Sequence, residues 1–290
     1  MILFDTNIIN DLDSNRELRT NVVDFVKRHR GVFCISLLSI AEILDGQRDD
    51  LVMARLKRLD EIWELVGSSG FHVFIGSREL IPIEARSQGD KHFLHKLPQE
   101  YLDEIRKLFK GEIRKADFTT PVAEMMRRER EDKVEFYRVD REFRKRITSN
   151  EDIDHAEIED AVLNFRGLTN YLEDYKVPAA VFAEIYPSLT EWRLRQIQKK
   201  HRGYRLIKVL MSMLVFRNLC NAISESNTNP ALAEVKRISR GQWYDIAIAA
   251  TAAYADYFVT NDRGLVAFCE FLRKRNVLRF KTLLASDIRN

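Results

Sequence analysis

Short apolar runs that stop abruptly at polar residues open and close this chain, and helical periodicities fill the space between them. Ile2-Leu3-Phe4 ends at Asp5, Val32-Phe33-Cys34-Ile35 at Ser36, and Phe71 to Ile75 at a Gly-Ser pair. Near the other end, Tyr257-Phe258-Val259 runs into Thr260-Asn261-Asp262. Continuous apolar runs of this length, bounded by turn formers, suit strands of a parallel sheet covered on both faces. Strands are therefore predicted near residues 2–5, 32–36, 71–75 and 257–261, with 278–282 as a closing edge strand. Leu18, Val22, Phe25 and Val26 recur at helical spacing, predicting a helix from about Glu17 to His29 that follows a polar loop at Ser14-Asn15 and ends at Gly31. Ser39 reads as the cap of a further helix, with Glu42 three residues on as its capping-box partner. Leu51 to Val66 reads as an amphipathic helix.

From about Ile83 to Asn229 the strand patterns vanish, and charge-dense helical stretches take over. Residues 100–109, 121–147, 152–175, 179–200 and 204–223 all support helix, separated by Gly, Ser-Asn and Val-Pro breaks. Ser224 to Pro230 has the composition of a linker. Beyond it, Trp243 to Tyr254 predicts a helix crowded with alanines, suited to close packing on a sheet, and Leu265 to Asn276 another. The fold class is α/β: a parallel sheet built from both chain ends, flanked by helices and interrupted by a mostly α-helical insertion. The divisions fall at 1–85, 86–230 and 231–290.

Composition adds little to this picture. Of the 290 residues, 45% are hydrophobic and 31% charged, as in an ordinary globular protein. A net charge of +3 is too small to name a polyanionic partner. Cys34, Cys220 and Cys269 have neither zinc spacing nor an even-numbered disulfide framework, which points to a reducing compartment. The most apolar stretch, Val209 to Phe216, is bracketed by Lys208 and Arg217 and is too short to span a bilayer. With core pattern from residue 2, no signal peptide and no membrane span are expected, and the expected location is the cytoplasm.

Four acids change the picture. Asp5 and Asp262 follow strands directly, while Glu42 and Asp245 sit in helices beside those strands. Singly, each has a structural reading as a turn former, a cap or an acid at the positive end of a helix dipole. Together, they all fall on the carboxyl rim of a doubly wound sheet, where ligands gather. Clustered carboxylates repel, so such a set persists with protonation or with divalent cations. Hard oxygen ligands suit Mg²⁺ or Mn²⁺, and a site of this kind serves in-line hydrolysis of phosphodiesters.

The ordered set Ile2-Leu3-Phe4-Asp5-Thr6-Asn7, Ser39-Ile40-Ala41-Glu42-Ile43, Asp245-Ile246-Ala247-Ile248-Ala249-Ala250 and Val259-Thr260-Asn261-Asp262 resembles the PIN-domain nucleases. The resemblance covers about residues 1–85 and 231–290. It implies a metal-dependent endoribonuclease in which Asp5, Glu42, Asp245 and Asp262 are the catalytic, metal-binding carboxylates and Asn7 and Thr260 support them. Many proteins of that kind are compact toxins held by an antitoxin. The long insertion departs from that pattern, and it could replace a partner, bind substrate or join subunits into a homo-oligomer.

Other readings stand beside this one. The strand-Asp-Thr-Asn opening is similar to aspartyl phosphatases of the haloacid dehalogenase type, but those require a second Asp where Asn7 stands. His155 and Glu159, one turn apart in an acidic run from Glu151 to Asp160, read as the acidic start of a solvated helix or as a second metal site. Between Trp192 and Arg217 there are eight Lys and Arg and no acid, with Arg195, Lys199 and Arg202 on one helical face. That face reads either as a solvated bundle surface or as a guide for the phosphate backbone of RNA. A catalytically silent scaffold that binds RNA or protein is the alternative of a different class.

Overall fold

The computed structural model describes residues 1–45, 48–76, 80, 81, 83, 84, 97–113, 122–128, single positions from 131 to 141, 155–164, 205–222, 229–238 and 243–289. Five strands form one all-parallel sheet: β1 (Ile2–Phe4), β2 (Phe33–Ser36), β3 (Phe71–Phe74), β4 (Tyr257–Thr260) and β5 (Lys281–Leu284). Their order is β3-β2-β1-β4-β5, with Phe4 in register with Ile35 on one side and Val259 on the other. Successive side chains of a strand point to opposite faces. Ile2, Leu3 and Phe4 are all buried, so both faces of the sheet are covered.

The described helices are α1 (Thr6–Ser14), α2 (Arg16–Arg28), α3 (Leu37–Leu44), α4 (Asp49–Val66), α5 (Gln99–Phe109), α6 (His155–Asn164), α7 (Arg205–Ala222), α8 (Pro230–Ile238), α9 (Trp243–Thr251) and α10 (Arg263–Arg273). Residues 122–128 are also helical. Aromatic rings lie across one side of the sheet in a continuous line. Phe4 stacks on Phe33 at 4.5 Å, Phe33 on Phe71 at 5.1 Å, and Phe71 on Trp63 of α4 at 4.4 Å. Phe109 of α5 meets the edges of both Trp63 and Phe71 at 6.3 Å. The Leu97 amide donates to the Val73 carbonyl at 2.9 Å. The first described part of the 86–230 segment is thus continuous with the sheet's core. Its far end is tied in as well: the buried Glu84 carboxylate accepts from the Leu206 amide at 3.0 Å and from the Tyr254 hydroxyl. Leu206, Leu210 and Met213 are buried and Leu214 is half-buried, so the apolar seam of α7 faces inward.

Several elements differ from the sequence reading. The helix α1 begins directly after Asp5, where only a short segment before a loop was expected. Asn7, Asn10, Asp11 and Asp13 are poor helix formers, and burial of Ile8, Ile9 and Leu12 overrides them. The cap of α3 is Ser36, whose hydroxyl accepts from the Leu38 amide at 3.2 Å. Ser39 lies inside the helix, fully buried, because β2 runs into α3 without a loop. Glu42 is therefore not a capping-box partner. A helix, α8, starts at Pro230 where the linker was expected to end, with the Asn229 side chain accepting from the Ala231 amide at 3.0 Å. Pro suits the first helical position, since the amide it lacks would be unpaired there. The edge strand begins at Lys281 rather than 278, because Leu278 and Phe280 fill the core ahead of the pairing. The alanine-rich α9 has its main packing against α3 and α7. Gly31 is required by close approach: a Cβ there would lie 2.8 Å from Ile2 Cδ1.

Candidate active site

The strand order reverses between β1 and β4. Chain growth from β1 leads outward to β2 and β3, then returns across to β4 and β5. The carboxyl ends of two such strands flank the crevice in which doubly wound proteins bind ligands. Asp5 follows β1, and Asp262 stands two residues beyond β4. The Asp5 amide donates to the Val259 carbonyl at 3.0 Å, so both acids occupy the same rim at the reversal point.

Asp5 caps α1 and is only 3% exposed. Its Oδ1 accepts from the Thr6 amide at 2.8 Å. Its Oδ2 accepts from Asn7 Nδ2 and from the Thr260 hydroxyl, each at 2.7 Å. Thr260 is the hub of this network. Its hydroxyl donates to Asp5 and accepts from Asn7 Nδ2 at 2.9 Å and from the Asp262 amide at 3.1 Å. One donor and two lone pairs are then all used.

The Asp5 carboxyl is raised to about 7, chiefly by burial and also by the negative charges of Asp245 and Glu42, against the lowering effect of the Thr260 and Thr6 hydrogen bonds. That coupling brings Glu42 of α3 and Asp245 of α9, both half-buried, into the same electrostatic neighbourhood as Asp5. Asp262 joins it through Thr260. Its Oδ1 caps α10 by accepting from the Leu265 amide at 2.9 Å, and Oδ2 has no hydrogen bond among the described residues. Cys269, buried on α10, has its thiol pushed up to about 12 by burial, with Asp5 and Asp262 among the charges that add to the shift.

The donor set is entirely oxygen and fits Mg²⁺ or Mn²⁺ in kind. Thr6 Oγ1, buried beside Asp5, has no hydrogen-bond partner among the described residues, nor has the buried Ser39 Oγ on the helix that carries Glu42. Buried hydroxyls ordinarily have one, so this neighbourhood keeps unused polar capacity. Among the described residues, no three His, Cys, Asp or Glu side chains converge closely enough to hold an ion.

Asn7 and Thr260 touch Asp5 directly, and Asn7 also reaches the far side of the rim, where its Oδ1 accepts from the Asn261 amide at 2.9 Å. Sequence reasoning passed over Asn261 and Asp11, whose side chains bond to each other beside this network. Asn and Asp beside a turn-rich stretch give no signal that separates them from ordinary turn formers or solvated helix residues. Arg195, Lys199 and Arg202 lie outside the described residues, as does the His155 side chain.

Replacing Thr260 by Val keeps the shape and removes the hub. We expect a loss of about 1–3 kcal/mol in urea unfolding, from the donors and acceptors left unpaired. The Asp5 carboxyl should rise further, since the lost bond favoured its charged form; carboxyl chemical shifts followed through a pH titration check this.

Among the described residues, no helix is long and apolar enough to cross a membrane. Comparison of the chain with protein-family models, curated proteins and solved structures yields no match.

Proposed function

We propose that this chain is a PIN-like, metal-dependent endoribonuclease that hydrolyses RNA phosphodiester bonds at the Asp5 rim. The observation that carries the reading is a buried carboxylate at the reversal point of a parallel sheet, hydrogen-bonded on both oxygens and raised by the charges of two further acids, Asp245 and Glu42. A carboxylate in this position is a poor choice for stability, because burial and like charges both oppose its ionised form. It is a good choice for holding a divalent cation against a phosphate.

Asp5, Glu42, Asp245 and Asp262 would hold Mg²⁺ or Mn²⁺, which supplies Lewis-acid stabilisation of phosphoryl charge and a nucleophilic water at neutral pH. Asn7 and Thr260 keep the Asp5 oxygens in one orientation, so that little reorganisation is needed when substrate arrives. The Asp262 carboxylate is oriented by its capping bond to α10, which leaves one oxygen for ligation. The 86–230 segment would serve substrate, a protein partner such as an antitoxin, or a second copy of the chain. A reducing cytoplasm fits three buried cysteines, none of them in a disulfide.

Incubation of the protein with 5′- and 3′-labelled RNA, with Mn²⁺ or Mg²⁺ and with EDTA, tests this reading. Expected are internal cuts that require the metal and leave 5′-phosphate and 3′-hydroxyl ends. Cleavage unaffected by EDTA, or 2′,3′-cyclic phosphate products, would rule it out. Metal-dependent RNA binding without cleavage would favour the silent scaffold.

A further inference from the structure

We propose that a pocket beside the carboxylate rim binds one nucleotide of the RNA strand, next to the bond that is cut. This inference rests on the nuclease reading above and adds a subsite to it. The pocket has a volume of about 350 Å³ and lies beyond the carboxyl ends of β4 and β5, closed on the other side by the end of α1 and the start of α2. That volume falls at the small end of ligand sites, enough for one nucleotide and too little for a stacked pair.

Its position is set by hydrogen bonds already described. Asn261 lines the pocket, its amide is held by Asn7 Oδ1, and Asn7 Nδ2 is bonded to the Asp5 carboxylate. A single side chain thus separates the pocket from the acid that defines the site. A strand with its scissile phosphate at Asp5 has its neighbouring nucleotide within reach of this pocket.

The lining is mostly polar and holds one acid, Asp11, whose carboxylate accepts from the Asn261 side chain, and one cation, Arg263. Arg263, exposed at the start of α10, has no acidic partner among the described residues. A guanidinium offers forked donors to phosphate oxygens, and this one stands beside a helix N-terminus that the Asp262 carboxylate already caps. Asn15 Oδ1 is committed to the Leu18 amide at 2.9 Å, which leaves its NH₂ for a base or ribose oxygen. Leu18 and Leu284 give the pocket an apolar wall. The lining contains no aromatic ring, so base stacking, which supplies most sequence-tolerant affinity in single-strand sites, is missing. Affinity should therefore come chiefly from phosphate on Arg263, with a weak base preference set by Asn15.

Two variants test the pocket, Arg263→Glu by charge and Ser286→Trp by bulk. Both positions are exposed, and acid near a helix start does not oppose folding. Binding of the four nucleoside 5′-monophosphates is followed by amide chemical shifts in wild type and both variants. In parallel, Mn²⁺-dependent cleavage of a short oligoribonucleotide is separated into kcat and KM. Expected are shifts at Asn15, Asn261 and Ser286, a fall in nucleotide affinity of about tenfold or more in each variant, and a matching rise in KM with kcat little changed. Nucleotide binding that both variants weaken, in a protein that cleaves no RNA, would support the pocket and remove the nuclease reading. Metal-dependent cleavage whose KM and nucleotide affinity neither variant alters would overturn the pocket and leave the nuclease reading intact. A fall in kcat at constant KM would also overturn it, since Arg263 would then act on the reaction rather than on the neighbouring nucleotide.

Discussion

Asp5→Asn should abolish RNA cleavage, by at least about a hundredfold in kcat, while making the metal-free protein more stable at pH 8. The loss of activity follows from removing the charge at the centre of the hydrogen-bond network, an effect comparable to deleting a preorganised electrostatic group. The gain in stability follows from linkage. In the native chain the Asp5 carboxyl titrates at about 7, against 3.8 for the free group. Between those values the unfolded chain has released its proton and the folded chain has not. The folded state therefore binds more protons, and stability falls as pH rises through this window. Above pH 7 the full penalty is present, roughly 4 kcal/mol from the size of the shift. Asn escapes the penalty and still caps a helix well, but an NH₂ in place of Oδ2 accepts from neither Asn7 nor Thr260. A net gain of about 1–3 kcal/mol at pH 8 remains after that loss. Urea unfolding at pH 8 and pH 5 checks this: the advantage should shrink at pH 5, where native Asp5 is already neutral. Unchanged turnover in the variant would count decisively against the proposed site. Saturating Mn²⁺ should reverse the ranking by binding the native wild type alone.

The second large effect is structural. Trp63→Ala is expected to cost about 3–5 kcal/mol, the range for deleting a buried aromatic. Trp63 is 1% exposed, stacks on Phe71 of β3, meets the edge of Phe109 on α5, and carries the Arg106 guanidinium 5.3 Å from its ring centre. It therefore joins α4, the sheet and the first helix of the 86–230 segment. If that segment is one cooperative unit with the sheet, fluorescence of the remaining tryptophans and far-ultraviolet circular dichroism should report a single, shifted transition. An early separate loss of helix, with the sheet unaffected, would show instead that residues 97–109 are peripheral to the core.

Sequence pattern alone was enough for the parallel α/β class and for four of the five strands, within a residue or two. Runs such as Ile2-Leu3-Phe4 and Tyr257-Phe258-Val259 are apolar without alternation, and only a strand covered on both faces needs that. The positions of Asp5, Asn7 and Thr260 at strand ends were equally legible, because a strand places its next residue on the rim whatever follows. The edge strand was harder: Leu278, Phe280 and Thr282 share one parity, and alternation cannot say where pairing begins. Helix α1 was hidden by its asparagines and aspartates, whose local preferences oppose helix until Ile8, Ile9 and Leu12 find a core. The same blindness applied to Ser39, which reads as a cap until β2 is seen to run into α3 and bury it.

What the chain could not announce in one dimension is the order of the strands and the contacts made where that order reverses. The reversal between β1 and β4, the bonds of the Thr260 hydroxyl with Asp5 and Asn7, and the link from Asn7 to Asn261 join residues some 250 positions apart in sequence. Local preference reaches about one helical turn, so contacts across that separation are decided by the packing of the sheet. The raised Asp5 carboxyl belongs to the same class of fact, since burial and the nearness of Asp245 and Glu42 exist only once the strands have closed around it.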